Sequence, residues 1–145
     1  MLELSQDIGH KLRLHQLAAR TVQISVRDGD LYSQQFQCRL PFVTQLPDEI
    51  ARTAFRAFKD NYKWRTTVRS LTVRAIELQP KSQPQQCSLF DDMEKIEKRE
   101  HLQTAVEDIR RRYGKRAITS ACLLGDLKMP RERDHEVIIP GMMYQ

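Results

Sequence analysis

Arginines spaced among small hydroxyl and amide side chains are the first residues in this chain that could do chemistry. Arg27 follows Thr21, Gln23 and Ser25 at every second position, Arg39 follows Gln35 and Gln37, and Arg74 follows Ser70 and Thr72. Guanidinium groups and hydroxyls bind phosphate oxygens well. A spacing of two is strand spacing, so each set shares one face of a sheet. Lys63, Arg65 and Arg69 lie just ahead of the third run. A cationic face without aromatic rings suits a duplex backbone better than splayed single-stranded bases. The same pattern also fits the ordinary solvated side of an antiparallel sheet.

The second constellation is Gln86, Cys87, Ser88, Leu89 and Phe90, which follows the run Gln79 to Gln85 with its two prolines. Those prolines discourage helix and fix extended φ values, so the peptide is presented rather than folded into a core. A Gln amide at one end and a Leu-Phe pair at the other suit a shallow apolar groove rimmed with backbone groups. Burying Leu89 and Phe90 contributes roughly 1.5 to 3 kcal/mol each, enough for weak, reversible docking. The competing reading makes the pair a hydrophobic staple at the entry of the next helix.

Catalytic and metal-binding readings find little support. Asp91 and Asp92 stand where carboxylates favour a helix N-terminus and read as caps. His10, His15, His101 and His135 show neither the i, i+4 zinc pattern nor cysteines at ligand spacing. Glycine-rich phosphate loops are missing. Arg110, Arg111 and Arg112 with Lys115 and Arg116 read as charges opposing a helix dipole, and Trp64 as a core or hinge residue.

Composition sets the frame. With 145 residues, 40% of them hydrophobic, the chain can build one modest core with an appendage. The net charge of +5 is uneven: twelve Lys and Arg face eight Asp and Glu up to Leu78, against twelve and eleven beyond it. An anionic partner is therefore sought in the first part. Cys38, Cys87 and Cys122 are odd in number and far apart, which favours a reducing compartment, the cytoplasm. No export signal or membrane-length apolar run is expected.

The elements that must position these groups follow from periodicity. Leu4, Ile8 and Leu12 predict a helix over 3–17. Alternation over 20–27 puts Val22, Ile24 and Val26 on one face, and the turn Asp28-Gly29-Asp30 ends that strand. A second strand places Phe36, Cys38 and Leu40 inward and is closed by Pro41, pairing antiparallel with the first. Pro47, Asp48 and Glu49 open a helix to about Asn61 with Ile50, Ala54, Phe55 and Phe58 as its buried stripe. A third strand over 67–78 puts Leu71, Val73 and Ala75 inward. A helix over 91–113 carries Ile96, Leu102, Ala105 and Ile109 on one side and stops at Gly114. Residues 117–124 add a short helical turn, 128–135 a charged loop, and 137–139 a short strand. The expected class is α+β: an antiparallel sheet with two helices on one face, plus a C-terminal helical tail. The expected units are a sheet domain over 1–78, a linker and docking motif over 79–90, and the tail over 91–145.

Helix, strand, strand, helix, strand, linker and Gln-x-x-Leu-Phe together resemble the C-terminal end of a Y-family translesion DNA polymerase of the UmuC/DinB type. Residues 20–27 resemble the strand after the first little-finger helix, and 68–74 resemble the last, arginine-rich strand. Residues 86–90 resemble the sliding-clamp-binding motif, commonly Gln-Leu-Ser-Leu-Phe. Residues 102–118 resemble the helix that follows in many Gram-positive members, and Pro140 to Met143 fit them too.

The resemblance implies a little finger that lays its sheet along the DNA major groove and grips the duplex backbone. Arg69 and Arg74 fall on its DNA-contacting last strand, while Ser70 stands where some members carry another arginine. Gln86, Ser88, Leu89 and Phe90 would dock on the bacterial sliding clamp. It further implies a parent polymerase acting in DNA repair, damage bypass and the SOS response, with magnesium held by a palm domain outside this chain and no cofactor within it. Family little fingers begin with a central strand ahead of the first helix, and here the sequence opens inside that helix. Either residues 137–139 or a neighbouring molecule pairing at an open sheet edge is expected to fill the gap. The rival function is a stand-alone protein-interaction adaptor that uses 86–90 and the following helix, with no DNA role.

Overall fold

The computed structural model describes residues 1–83 and 93–124. Helix α1 (Leu2–Leu14) leads into strand β1 (Leu17–Asp28), which turns back into β2 (Ser33–Thr44). Helix α2 (Pro47–Asn61) then crosses to β3 (Val68–Pro80), and α3 (Met93–Tyr113) and the short α4 (Ala121–Leu124) follow. The sheet order is β2-β1-β3, antiparallel throughout. The class is therefore α+β, as the alternating runs require.

Alternation in β1 does what its period dictates. Val22, Ile24 and Val26 are buried under the helices, whereas Gln23, Ser25 and Arg27 emerge on the opposite side. Leu40 and Val73 from the outer strands join them, and α2 adds Ile50, Ala54, Ala57 and Phe58. Burial of Ile24 and Ile50 is complete, each stabilising the fold by about 1.5 to 3 kcal/mol. Helix α2 starts with Pro47 at its first turn beside Asp48 and Glu49, and Thr44 Oγ1 accepts a hydrogen bond from the Leu46 N–H at 3.0 Å. Gly9 is where α1 meets the entrance of α2: a Cβ there would lie 2.7 Å from Pro47 Cγ and 2.9 Å from the Gln45 carbonyl oxygen.

Several expectations need correction. The buried side of α1 is Ser5, Gly9 and Leu12, with Leu4 exposed, because Gly9 rather than Leu4 is pressed against Pro47. Phe55 is exposed; Ile50, Ala54 and Phe58 are buried as expected, and Thr53 and Ala57 complete the stripe of α2 in its place. Pro41 does not close β2. It lies on an edge strand where the β1–β2 register shifts between Ala19 and Thr21, so its missing N–H interrupts no regular ladder. β3 likewise continues through Gln79 and Pro80, paired with Ala18 and Leu17.

The expected gap in the sheet is absent from the described residues. β1 is central and pairs with both neighbours, so an added strand could join only at the outer edge of β2 or β3. Residues 137–139 lie outside the described residues, as do the 128–135 loop and Pro140 to Met143.

Helix α3 turns a mostly polar side inward, opposite to the expected arrangement for most of its stripe. Leu102, Ala105, Ile109 and Tyr113 are exposed, while Arg99, Glu100, Gln103, Glu107 and Arg110 are partly covered together with Ile96 and Val106. Its ties to the rest are ionic: Glu107 to Arg13, Glu107 to His10 (3.3 Å), Arg99 to Glu49 (2.7 Å) and Glu100 to Lys81 (2.7 Å). Lys115, just beyond the helix, pairs with Asp7 at 2.9 Å. Gly114, at φ +94°, ends α3 as its sequence position predicts.

Candidate nucleic-acid interface

The bare side of the sheet is organised in rows set by the register. Thr21 faces Arg39, Gln23 lies between Gln37 and Arg74, Ser25 between Gln35 and Thr72, and Arg27 between Ser33 and Ser70. Same-face residues along a strand recur about every 6.8 Å and neighbouring strands lie about 4.8 Å apart. Arg39 and Arg74 thus stand on opposite outer strands one row apart, roughly 12 Å from each other, with Arg27 about 13 to 14 Å beyond the row of Arg74 and about 20 Å beyond that of Arg39. All three are exposed.

Arg69 reaches the exterior by another route. The β1–β3 register slips between Arg27 and Asp28, so Arg69 and Ser70 are both exposed between Val68 and Leu71, which pack on the core. A β-bulge of this kind redirects a side chain that strict alternation would turn inward. Lys63 and Arg65 are exposed in the segment before β3, on either side of Trp64.

Ion pairs concentrate where α3 meets the other helices, although Lys11, Arg56 and Lys59 on the helical side have none among the described residues. On the helical side, Arg13, Arg99, Lys81 and Lys115 are committed to carboxylates. Among the described residues, Arg27, Arg39, Lys63, Arg65, Arg69 and Arg74 form no ion pair with any Asp or Glu. Unneutralised guanidinium groups on a sheet of amides and hydroxyls keep their donors free for an anion.

One end of this face holds features the alternation did not reveal. Arg20, Thr21, Gln37, Cys38, Arg39, Glu77 and Gln79 line a shallow hollow of about 600 Å³. Glu77 sits at φ +52° inside β3, and its carboxylate accepts a hydrogen bond from Thr21 Oγ1 at 2.6 Å. The irregular pairing around Arg20, a consequence of long-range register, leaves no mark in local sequence.

Trp64 does not take an expected core position: it is 71% exposed. It still packs edge-on against Phe58 and Tyr62, with ring centroids 5.5 and 5.3 Å away. Gln86, Ser88, Leu89 and Phe90 lie outside the described residues, as do Asp91, Asp92 and His135. His10 is engaged by Glu107, and His101 pairs with Glu97 at 3.7 Å. Among the described residues no three His, Cys, Asp or Glu side chains are placed to hold a metal ion. No described helix is long and apolar enough to cross a membrane.

A sheet covered by two helices on one side and left cationic on the other is the α+β arrangement of a little-finger domain. Residues 1–89 match the impB/mucB/samB family C-terminal domain, and the chain belongs to that family, the C-terminal domain of Y-family DNA polymerases. It is 37% identical over 128 residues to a DNA polymerase IV of Acetivibrio thermocellus, covering 88% of this chain and 32% of that protein. It is 29% identical over 127 residues to a DNA polymerase IV of Desulfatibacillum aliphaticivorans, covering 88% and 32%. A third, from Pelotomaculum thermopropionicum, is 27% identical over 136 residues, covering 94% and 33%. The chain therefore spans about a third of the length of these curated relatives. No solved structure matches it.

Proposed function

We propose that this chain is the duplex-gripping and clamp-docking part of a translesion DNA polymerase active in DNA repair and damage bypass. The observation that carries the reading is the cationic sheet face: Arg27, Arg39, Arg69 and Arg74 have no acidic partner among the described residues, whereas Arg13, Arg99 and Lys115 on the helical side are paired with carboxylates. Phosphates along a duplex would supply those partners, with Ser70, Thr72 and Gln23 adding neutral donors. Family membership and the names of the relatives support the same conclusion.

Gln86, Ser88, Leu89 and Phe90 form the clamp-docking peptide in this reading. A weak peptide suffices there, because tethering converts docking into an intramolecular event at roughly millimolar effective concentration. The magnesium ions implied by the family have no carboxylate set to hold them among the described residues, so no step of nucleotidyl transfer is assigned to this chain.

The test is a titration of labelled blunt duplex at two salt concentrations. Arg69→Glu with Arg74→Glu should weaken binding and flatten the salt dependence, since fewer counterions are released. Unchanged affinity and slope would remove DNA from this face and leave the adaptor reading. That rival has its own support in the outward stripe Leu102, Ile109 and Tyr113 of α3.

A further inference from the structure

The hairpin end of the sheet gathers exposed rings that the duplex reading does not use, beside cations, Arg69 among them, that it shares. β1 ends there at Asp28, β2 begins at Ser33 and β3 begins at Val68. Two loops are drawn together at this end, the Gly29 N–H donating to the Thr67 carbonyl at 2.8 Å. Tyr32 is 64% exposed on one loop and Trp64 71% on the other.

The Trp64 ring and the Tyr32 backbone are held in place. The Arg65 N–H donates to the Lys63 carbonyl at 2.7 Å, a tight turn that sets Trp64 at its apex with a cation on each side. The indole is braced against Phe58 and Tyr62, which themselves stack at 5.1 Å. The Tyr32 N–H donates to Asp28 Oδ1 at 2.9 Å, and the Asp28 N–H returns a bond to the Tyr32 carbonyl at 3.0 Å. A braced indole loses little further freedom when a ligand stacks on it.

The charge around Trp64 favours a polyanion. From residue 59 to residue 69 there are four basic side chains, Lys59, Lys63, Arg65 and Arg69, and a single acidic one, Asp60, while the Tyr32 loop adds Asp28 and Asp30. A duplex shows phosphates but no base faces at its side, so it draws on the cations and leaves the rings unused. A single strand offers both a phosphate backbone and unstacked bases.

We propose that this end of the domain binds single-stranded DNA, with Trp64 and Tyr32 as stacking platforms and Lys63, Arg65 and Arg69 as backbone contacts. Resting on the duplex reading above, the site would hold the unpaired strand that runs off the gripped duplex.

Trp64 is the chain's single tryptophan, so its emission reports on the site directly. The full chain would be titrated separately with oligo(dT), with a blunt duplex, and with the same duplex carrying a single-stranded overhang, following Trp64 quenching and its accessibility to acrylamide. Oligo(dT) and the overhang should quench the indole and shield it; the blunt duplex should do neither. Trp64→Ala should weaken overhang and oligo(dT) binding about tenfold and leave blunt-duplex affinity within about twofold. Equal quenching by blunt duplex and overhang, or no shielding by oligo(dT), would overturn the proposal and leave the rings to a protein partner. Shielding by oligo(dT) without any blunt-duplex binding would keep the single-strand site and reject the duplex grip. The acrylamide measurement on the unmodified chain decides the matter even if Trp64→Ala does not fold.

Discussion

Arg13 of α1 and Glu107 of α3 form an ion pair across 94 residues of sequence, with His10 sharing the same carboxylate. Burial alone would raise the Glu107 carboxyl, but the hydrogen bonds and charges of Arg13 and His10 more than offset it and hold it below the usual carboxylate range. A carboxyl lowered by folding contributes stability in full above its unfolded pKa and loses it as pH falls through the folded one. Docking of α3 should therefore be intact at neutral pH and loosen only in acid. Amide exchange along 99–110 measured across this range checks it: Glu107→Gln should speed exchange at neutral pH and remove most of the acid dependence, a loss on the order of 1 kcal/mol.

Salt should act on the same helix. The ties of α3 to the rest are mainly ionic, with one hydrogen bond from Arg110 to the Gln6 amide oxygen, and its exposed residues include Leu102 and Tyr113, so screening should release it before the sheet melts. Limited proteolysis at low and at molar salt should show cleavage in 93–113 rising with salt while 1–80 stays protected. Equal protection at both would mean that apolar packing holds α3.

Gly9 leaves no room for a larger residue. Gly9→Ala puts a methyl 2.7 Å from Pro47 Cγ and 2.9 Å from the Gln45 carbonyl, forcing α1 away from the start of α2. The expected loss is about 1 to 3 kcal/mol, read from urea unfolding, even though alanine is the better helix former.

Ile24 is fully buried at the centre of the sheet. Ile24→Ala should cost about 2 to 5 kcal/mol in the same unfolding experiment and lower duplex affinity only as far as the folded fraction falls. A smaller loss would mean that the core collapses around the vacancy.

Leu89→Ala with Phe90→Ala should abolish capture by a bacterial sliding clamp in a pull-down and leave the unfolding curve unchanged. Retained capture would remove the peptide from the docking role. A lowered unfolding midpoint would instead tie the pair to the folded helix entry, as the staple reading requires.

Much of this was legible from sequence because the relevant physics is local. The two-residue period of Val22, Ile24 and Val26 decides which side of β1 is buried, and so brings Arg27, with Arg39 and Arg74 on the neighbouring strands, out on the other. Pro47 with two acids, and Gly114, mark helix ends through φ and dipole effects that need no distant partner. The register slip that turns Arg69 outward, the run of β2 through Pro41, the exposure of Trp64 and Phe55, and the inverted face of α3 were decided only in three dimensions. Each depends on what a residue meets from elsewhere in the chain. A thin apolar stripe on α3 reads locally as a buried face, yet five ion pairs to residues distant in sequence hold the opposite side inward.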